Sequence, residues 1–403
     1  MKILQVNCVY RKGSTGKIVY DIHTELQRQE IDSVVCYGRG EKCVEPNVYK
    51  VCPEWYSKLN NLWSRVTGLM YGGLYCSTRK LIKIIEREKP DVVHLHCING
   101  YFVNIYKIVT YLKRQQIKTI LSLHAEFIHT ANCGYAFECE RWKTGCGHCL
   151  RFKQETKSLF IDGTHRSWIM MKKALEGFER NIIVTSVSAW LMDRAKQSPI
   201  LSGLEHCVVL NGLNTDIFKY TKLEEEYVEN REGYNGLIFH ATPFLSSNPN
   251  HIKGGYYVIE LAKSMPEYHF MIAGNYDENI EVPSNVTLLG RLANQELLAK
   301  YYSMSDVTVL TSKKETFSMV TAESLCCGTP VVGFKAGAPE TISIPEYSRW
   351  VDFGDVRSLK DAILEAVTLD VNKISLSNLA KSLYNRKVMV DNYINVYKNI
   401  LNN

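Results

Sequence analysis

Apolar and polar positions change period along the chain. Lys2–Val9 is a nearly continuous apolar run and reads as a strand. Beyond it Ile18, Ile22 and Leu26 recur at spacing four, as on the buried stripe of a helix. The alternation continues, with strands predicted at Ser33–Tyr37, Val92–Leu95, Thr119–Leu123 and Asn181–Val187. Between them Lys80–Glu88 places Leu81, Ile84 and Ile85 on one helical face, and Pro90 stops the helix. After residue 230 the pattern repeats, with strands at Leu237–Ala241, Phe270–Ala273, Val286–Leu288, Val307–Leu310 and Val331–Phe334. Apolar strands separated by helices indicate parallel sheets covered on both faces. Two such series predict an α/β protein of two Rossmann-like, doubly wound domains, with ligand sites beyond the carboxyl ends of their strands. Ser375–Asn403 is helical by pattern, through Leu379, Leu383, Val388, Tyr393, Val396 and Tyr397.

The chain has 403 residues, 45% apolar and 22% charged, which excludes a disordered or collagen-like chain. No repeat of 20–50 residues interrupts the two series. The least regular stretch runs from Asn214 to Gly236 and holds a Glu-rich run, so the hinge is expected near residues 211–236. The expected domains are residues 1–213 and 214–385. Residues 386–403 form a terminal helix, either simply closing the second domain or crossing back onto the first. Charge follows the same division: residues 1–180 carry 28 Lys/Arg against 17 Asp/Glu, and residues 181–403 carry 20 against 25. Thirteen Cys is an odd number. The opening MKILQVNCVY lacks the form of a secretory signal, and no run reaches the ~18 apolar residues of a membrane span. The expectation is a cytoplasmic chain with reduced thiols.

The chemistry concentrates after strand Val307–Leu310. A loop carries Glu315, a helix starts near Ser318, Glu323 lies within it, and Gly328 and Pro330 end it. Backbone N–H groups at Ser318, Met319 and Val320 would point out of a helix start that favours phosphate. A ligand with a central diphosphate would meet a carboxylate at either end, each able to accept from a pair of sugar hydroxyls. Lys253-Gly254 opens a helix after strand Leu237–Ala241 and supplies a cation for a leaving diphosphate. A solvated surface Lys is the alternative.

The run Gly290-Arg291-Leu292, Glu296-Leu297, Tyr301-Tyr302, Ser305-Asp306, Glu315, Glu323, Gly328-Thr329-Pro330, Gly337 and Pro339-Glu340 closely resembles the donor domain of family-4 retaining glycosyltransferases. That family has the GT-B architecture, two Rossmann-like domains facing a cleft, and the resemblance extends over essentially the whole chain. It implies that Glu323 binds the nucleotide ribose and Glu315 the donor sugar, while Phe317, Ser318, Met319 and Val320 hold diphosphate and sugar. Lys253 and Gly254 match the family's Lys-Gly motif. Where members commonly carry an Arg after the preceding strand, this chain has His240-Ala-Thr-Pro243, so Arg291 is the candidate for a second phosphate contact.

In the first domain, Gly13-Ser14-Thr15-Gly16 follows the first strand, and Arg11 stands where a Walker loop needs its first Gly. The resemblance places this loop near diphosphate and acceptor, and gives His124, at the end of strand Thr119–Leu123, a contact to the reacting sugar. His94 and His96 face one way on their strand and read as structural or as support behind the site. Members with the same cysteine segment often have His-Asp where this chain reads His124-Ala125-Glu126. Cys133, Cys139, Cys146 and Cys149 are spaced C-x5-C-x6-C-x2-C. They are candidates for a structural zinc or for reduced packing thiols, in a segment that resembles the capsule, O-antigen and colanic-acid subgroup. Glu54–Tyr75 is an aromatic, basic, amphipathic segment suited either to a membrane or lipid-linked acceptor or to the core.

The expected activity is retaining transfer of a hexose-type unit from a nucleotide diphosphate sugar to a growing, lipid-linked glycan, at the inner face of the membrane. No Asp-x-Asp occurs, so no metal is expected in catalysis, and no nucleic-acid motif is present. The alternatives are a nucleotide-sugar processing enzyme and a non-catalytic nucleotide-sugar-binding subunit of a polysaccharide assembly complex.

Overall fold

The structure, a computed structural model, describes residues 1–222 and 233–402, so the Glu-rich run Leu223–Glu232 lies outside the described residues. The chain divides into two compact units, Met1–Val209 with Met389–Asn403, and Leu210–Val388. The first holds a parallel sheet of β1 (Lys2–Asn7), β2 (Asp32–Tyr37), β3 (Val48–Lys50), β4 (Val92–Leu95), β5 (Thr119–Leu123), β6 (Ile182–Ser186) and β7 (Glu205–Val208), in spatial order β3-β2-β1-β4-β5-β6-β7. The second holds β8 (Leu237–Leu245), β9 (His269–Tyr276), β10 (Val286–Gly290), β11 (Val307–Leu310), β12 (Val331–Phe334) and β13 (Ser348–Val351), in order β10-β9-β8-β11-β12-β13. Each is a doubly wound α/β sheet. Strand order reverses between β1 and β4 and again between β8 and β11, where such sheets open a ligand crevice beyond their carboxyl ends.

The interior strands β1, β4, β5, β11 and β12 are buried almost throughout, as their apolar runs require. In the second unit Ile238, Phe270, Ile272, Val307, Val309 and Val332 form a core with Val258 and Leu261 from the helix Gly255–Ser264 and with Leu359 and Ile363 from Val356–Thr368. Strand β8 runs past the predicted Ala241 because a register shift between Ala241 and Phe244 absorbs Thr242-Pro243. A bulge is one of the few places within a sheet that tolerates a residue lacking an N–H.

The helical segment predicted over Ser375–Asn403 is two helices, Lys373–Tyr384 and Arg386–Asn402, separated by Asn385 in extended conformation (ψ 134°). Within the first unit the last helix buries Met389, Val390, Tyr393, Ile394, Val396, Tyr397 and Ile400, packed with Ile3, Ile18, Ile22, Val92 and Ile120. Each large apolar side chain contributes about 1.5–3 kcal/mol when fully buried. Beneath this helix the strands carry polar residues that its tyrosines satisfy. His94 Nδ1 lies 2.7 Å from the Tyr397 hydroxyl, and Ser122 Oγ lies 3.1 Å from that of Tyr393. Buried polar groups need such partners, so these contacts fix where the helix lies along the sheet.

Candidate active site

In the second unit the loops after β8 and β11 meet at the switch point. Gly254 has φ +65°, and a Cβ there would fall 2.0 Å from the carbonyl oxygen of Thr311, so the position requires glycine. The Thr311 hydroxyl donates to the Lys253 carbonyl at 3.2 Å and the Lys313 amide to that of Ile252 at 2.8 Å, which ties the two loops together. The clamp delivers Lys253 Nζ to 2.6 Å from Glu315 Oε1, in an ion pair only 27% and 13% exposed at the side chains. Glu315 is held in turn by its backbone, its amide donating to Ala336 O at 2.9 Å and its carbonyl accepting from the Ala338 amide at 3.2 Å.

Three residues on, Ser318 adopts φ +78°, a costly conformation for a residue with a Cβ, and caps the helix Met319–Cys326. Its hydroxyl accepts from the Thr321 amide at 3.3 Å. Glu323, in the middle of that helix, accepts from the Tyr302 hydroxyl at 3.1 Å. Tyr302 is fully buried, and its burial and the Glu323 charge push its phenol well up, so it stays a donor. Phe317 turns inward, its ring edge-on to Tyr384, and fills core space. Arg291 and Val320 line one cavity of about 340 Å³ with Thr242, Pro243, Gly274 and Asn275. His240 is buried with Nδ1 2.9 Å from Val309 O, and burial lowers its pKa to about 4. A ring neutral at pH 7 cannot replace the family's Arg as a cation.

In the first unit Gly13–Gly16 opens the helix Gly13–Arg28 and forms its first turn. His124 follows β5 and is buried, its Nε2 3.2 Å from His96 Nδ1, and burial lowers its pKa to about 4. Glu126 turns away into the core. It accepts from Arg194 Nε at 2.5 Å and from the Ala136 amide at 2.7 Å, with His129 Nε2 at 3.3 Å. Burial raises a carboxyl pKa, but here the His129 hydrogen bond, the charges of His129 and Arg194 and the Ala136 amide outweigh it and hold Glu126 low. It anchors the cysteine-rich segment, whose Trp142 lies under the Arg194 guanidinium at 5.1 Å.

Cys133, Cys139, Cys146 and Cys149 are free, half-buried thiols. Burial pushes the thiols of Cys133 and Cys146 up, that of Cys146 to about 12. Among the described residues no three His, Cys, Asp or Glu are grouped to hold a metal ion. This geometry supports packing thiols and gives the zinc expectation no support.

Sequence reasoning missed two partnerships. Tyr302 stood within the quoted motif without a role, and the pairing of His96 with His124 needs the β1-β4-β5 order to become visible.

A family model described as "Glycosyl transferases group 1" matches residues 248–368, the segment that carries Lys253, Arg291, Glu315 and Glu323. The chain is 21% identical to an Escherichia coli (strain K12) protein named for colanic acid biosynthesis glycosyl transfer, WcaC, over 99% of this chain and all of that one. It is 21% identical to the N-acetyl-alpha-D-glucosaminyl L-malate synthase of Bacillus anthracis, over 80% of this chain and 78% of that one. Among solved structures, Anabaena Alr3699/HepE in complex with UDP aligns over 99% of this chain and all of that one, with TM-score 0.66 and 15% identity. The sucrose-phosphate synthase of Thermosynechococcus elongatus aligns over 99% of both, with TM-score 0.66 and 14% identity. At these identities the structural likeness speaks for the fold alone.

Proposed function

We infer that this chain is a GT-B glycosyltransferase of the family-4 type, a reading supported by the group 1 family model over residues 248–368 and by the likeness to WcaC along 99% of the chain, and that it transfers a sugar from a nucleoside diphosphate sugar to a growing glycan with retention of configuration. The observation that carries this reading is the Lys253–Glu315 pair at 2.6 Å, three residues before the helix cap Ser318, with Glu323 further along that helix. Glu315 neutralises Lys253 in the ion pair. An arriving diphosphate takes over the ammonium and releases Glu315 to the hydroxyls of the sugar. Arg291 and the amides at Ser318–Val320 share the remaining phosphate charge, Glu323 accepts from the ribose hydroxyls, and Gly254 keeps Lys253 in place. The Gly13–Gly16 turn is assigned to diphosphate and acceptor, and His124 to the transferred sugar.

In this reading the bond from the anomeric carbon to the diphosphate oxygen breaks as the acceptor oxygen attacks from the same face. The acceptor proton passes to the leaving diphosphate, and the protein-borne cations make a divalent ion unnecessary. Glu315→Gln is expected to lower turnover about a hundredfold, the order seen when one preorganised contact to the transition state is lost. Activity should survive EDTA. Near-normal turnover in Glu315→Gln, or a product inverted at its anomeric centre, would contradict the reading. Nucleotide binding without turnover across a panel of acceptors would favour the binding-subunit alternative.

The acceptor is proposed to be lipid-linked, in cell-surface polysaccharide biosynthesis, with the protein at the cytoplasmic face of the membrane. No described helix is long and apolar enough to cross a membrane. The helix Glu54–Thr67 nevertheless leaves Trp55, Leu59, Leu62, Trp63 and Val66 exposed on one face while Tyr56, Asn60 and Ser64 turn inward. Leu159–Ile161 adds to it, with the Leu159 amide on Arg65 O at 2.8 Å and Phe160 79% exposed. Exposed Lys58, Arg65 and Lys157 lie among these residues, the composition that suits an anionic bilayer. Co-sedimentation with anionic vesicles should weaken with added salt and in Trp55→Ser/Trp63→Ser. Salt-insensitive or unchanged binding would count against the surface.

A further inference from the structure

The strands of the first unit hold a row of hydrogen-bonding groups leading to His124, of which the proposed mechanism leaves Gln5 and His96 unused. Gln5 is on β1, His96 follows β4, and His124 follows β5, on neighbouring strands. Gln5 and His96 are fully buried. The Gln5 amide nitrogen donates to Val19 O at 3.4 Å, which turns its oxygen toward His96 Nε2 at 3.2 Å. An amide oxygen only accepts, so His96 carries its proton on Nε2. The His94 ring lies tilted against it with centroids 3.8 Å apart, burial disfavours its charged form, and no carboxylate among the described residues is hydrogen-bonded to it, so His96 is neutral and its Nδ1 is an acceptor. The group it faces, His124 Nε2 at 3.2 Å, must therefore be the donor.

We propose that Gln5 and His96 are positioning residues that hold His124 as its Nε2–H tautomer and leave Nδ1 as the accepting edge of the ring. The direction is set at one end by Val19 O and passed along two hydrogen bonds. The proposal rests on the reading that His124 meets the transferred sugar, which is what would make its tautomer matter to transfer.

The test is the ¹⁵N shift pattern of the His124 ring in the unliganded full chain, assigned by the signal lost in His124→Gln. The expected spectrum shows a protonated Nε2 and a bare Nδ1. Gln5→Leu removes the acceptor that orients His96, so His124 should become a mixture of tautomers, and transfer should slow about tenfold, the worth of one hydrogen bond. Gln5→Glu sets a carboxylate against His96 instead, which favours the imidazolium and makes its Nδ1 a donor, so the His124 signal should move toward the form protonated on Nδ1. A wild-type ring protonated on Nδ1, or a tautomer indifferent to Gln5→Leu, overturns the proposal. If Gln5→Leu does not fold, the wild-type spectrum alone decides. An Nε2–H tautomer that shifts as expected while transfer by Gln5→Leu stays at the wild-type rate would remove His124 from the sugar contact and leave the relay standing.

Discussion

Lys253 owes its position to its neighbour. With φ +65° at residue 254 and the Thr311 carbonyl 2.0 Å from any added Cβ, Gly254→Ala must strain the backbone and shift the loop. A loss of about 2–3 kcal/mol in urea unfolding is expected, together with weaker nucleotide binding. A neutral effect on both would mean that the Lys253–Glu315 geometry is not fixed by this contact. Glu126 gives a contrasting prediction. Arg194→Ala leaves its buried carboxylate without its cation and should cost about 3–5 kcal/mol, whereas Glu126→Gln, which keeps a hydrogen-bonding side chain, should cost less. Equal losses would show that packing on Trp142, not charge, is what Arg194 supplies. Glu315, Glu323 and Lys253 were legible in the sequence because spacing along one chain segment carries them. His96 and Glu126 were not, because their partners come from distant segments that only the fold brings together.

At the scale of elements, the interior strands were legible and the margins were not. Val92–Leu95, Thr119–Leu123, Val307–Leu310 and Val331–Phe334 coincide with β4, β5, β11 and β12, since burial on both faces demands unbroken apolar runs. The unpredicted strands β3, β7 and β13 all lie at sheet edges. There one side lacks a neighbour and the pattern weakens, as in Glu205–Val208 with both ends exposed. The break at Asn385 was hidden because apolar spacing continues through it. The helix Met319–Cys326 starts from a cap in a left-handed conformation, so two substitutions separate its two needs. Ser318→Ala loses the hydroxyl and keeps the strain, at about 0.5–2 kcal/mol, while Ser318→Gly loses the hydroxyl but relieves the strain. Denaturant unfolding should therefore rank Ser318→Gly as the more stable. The reverse order would show that the hydroxyl does more than cap.

Over the whole molecule, buried neutral histidines link stability to acid. His23, His124 and His240 each have a pKa lowered by burial to about 4, against about 6.5 in an unfolded chain. A depressed value means that each contributes stability above pH ~6.5 and loses it as the pH falls toward 4, by about 1.4 kcal/mol per pH unit per group. Urea midpoints should fall steeply across that window, and His23→Gln, remote from the proposed chemistry, should flatten the slope by one proton. A flat profile would contradict the burial of these rings. If the second unit binds a nucleoside diphosphate sugar through Lys253, Glu315 and Glu323, as proposed, thermal unfolding with UDP, GDP, ADP and their sugars should report it. A matching nucleotide at about a hundredfold excess over its Kd should stabilise the protein by about 2.7 kcal/mol, with the gain greatly reduced in Lys253→Ala and Glu323→Gln. No stabilisation of the wild type by any of them, or a gain that survives both substitutions, would contradict it.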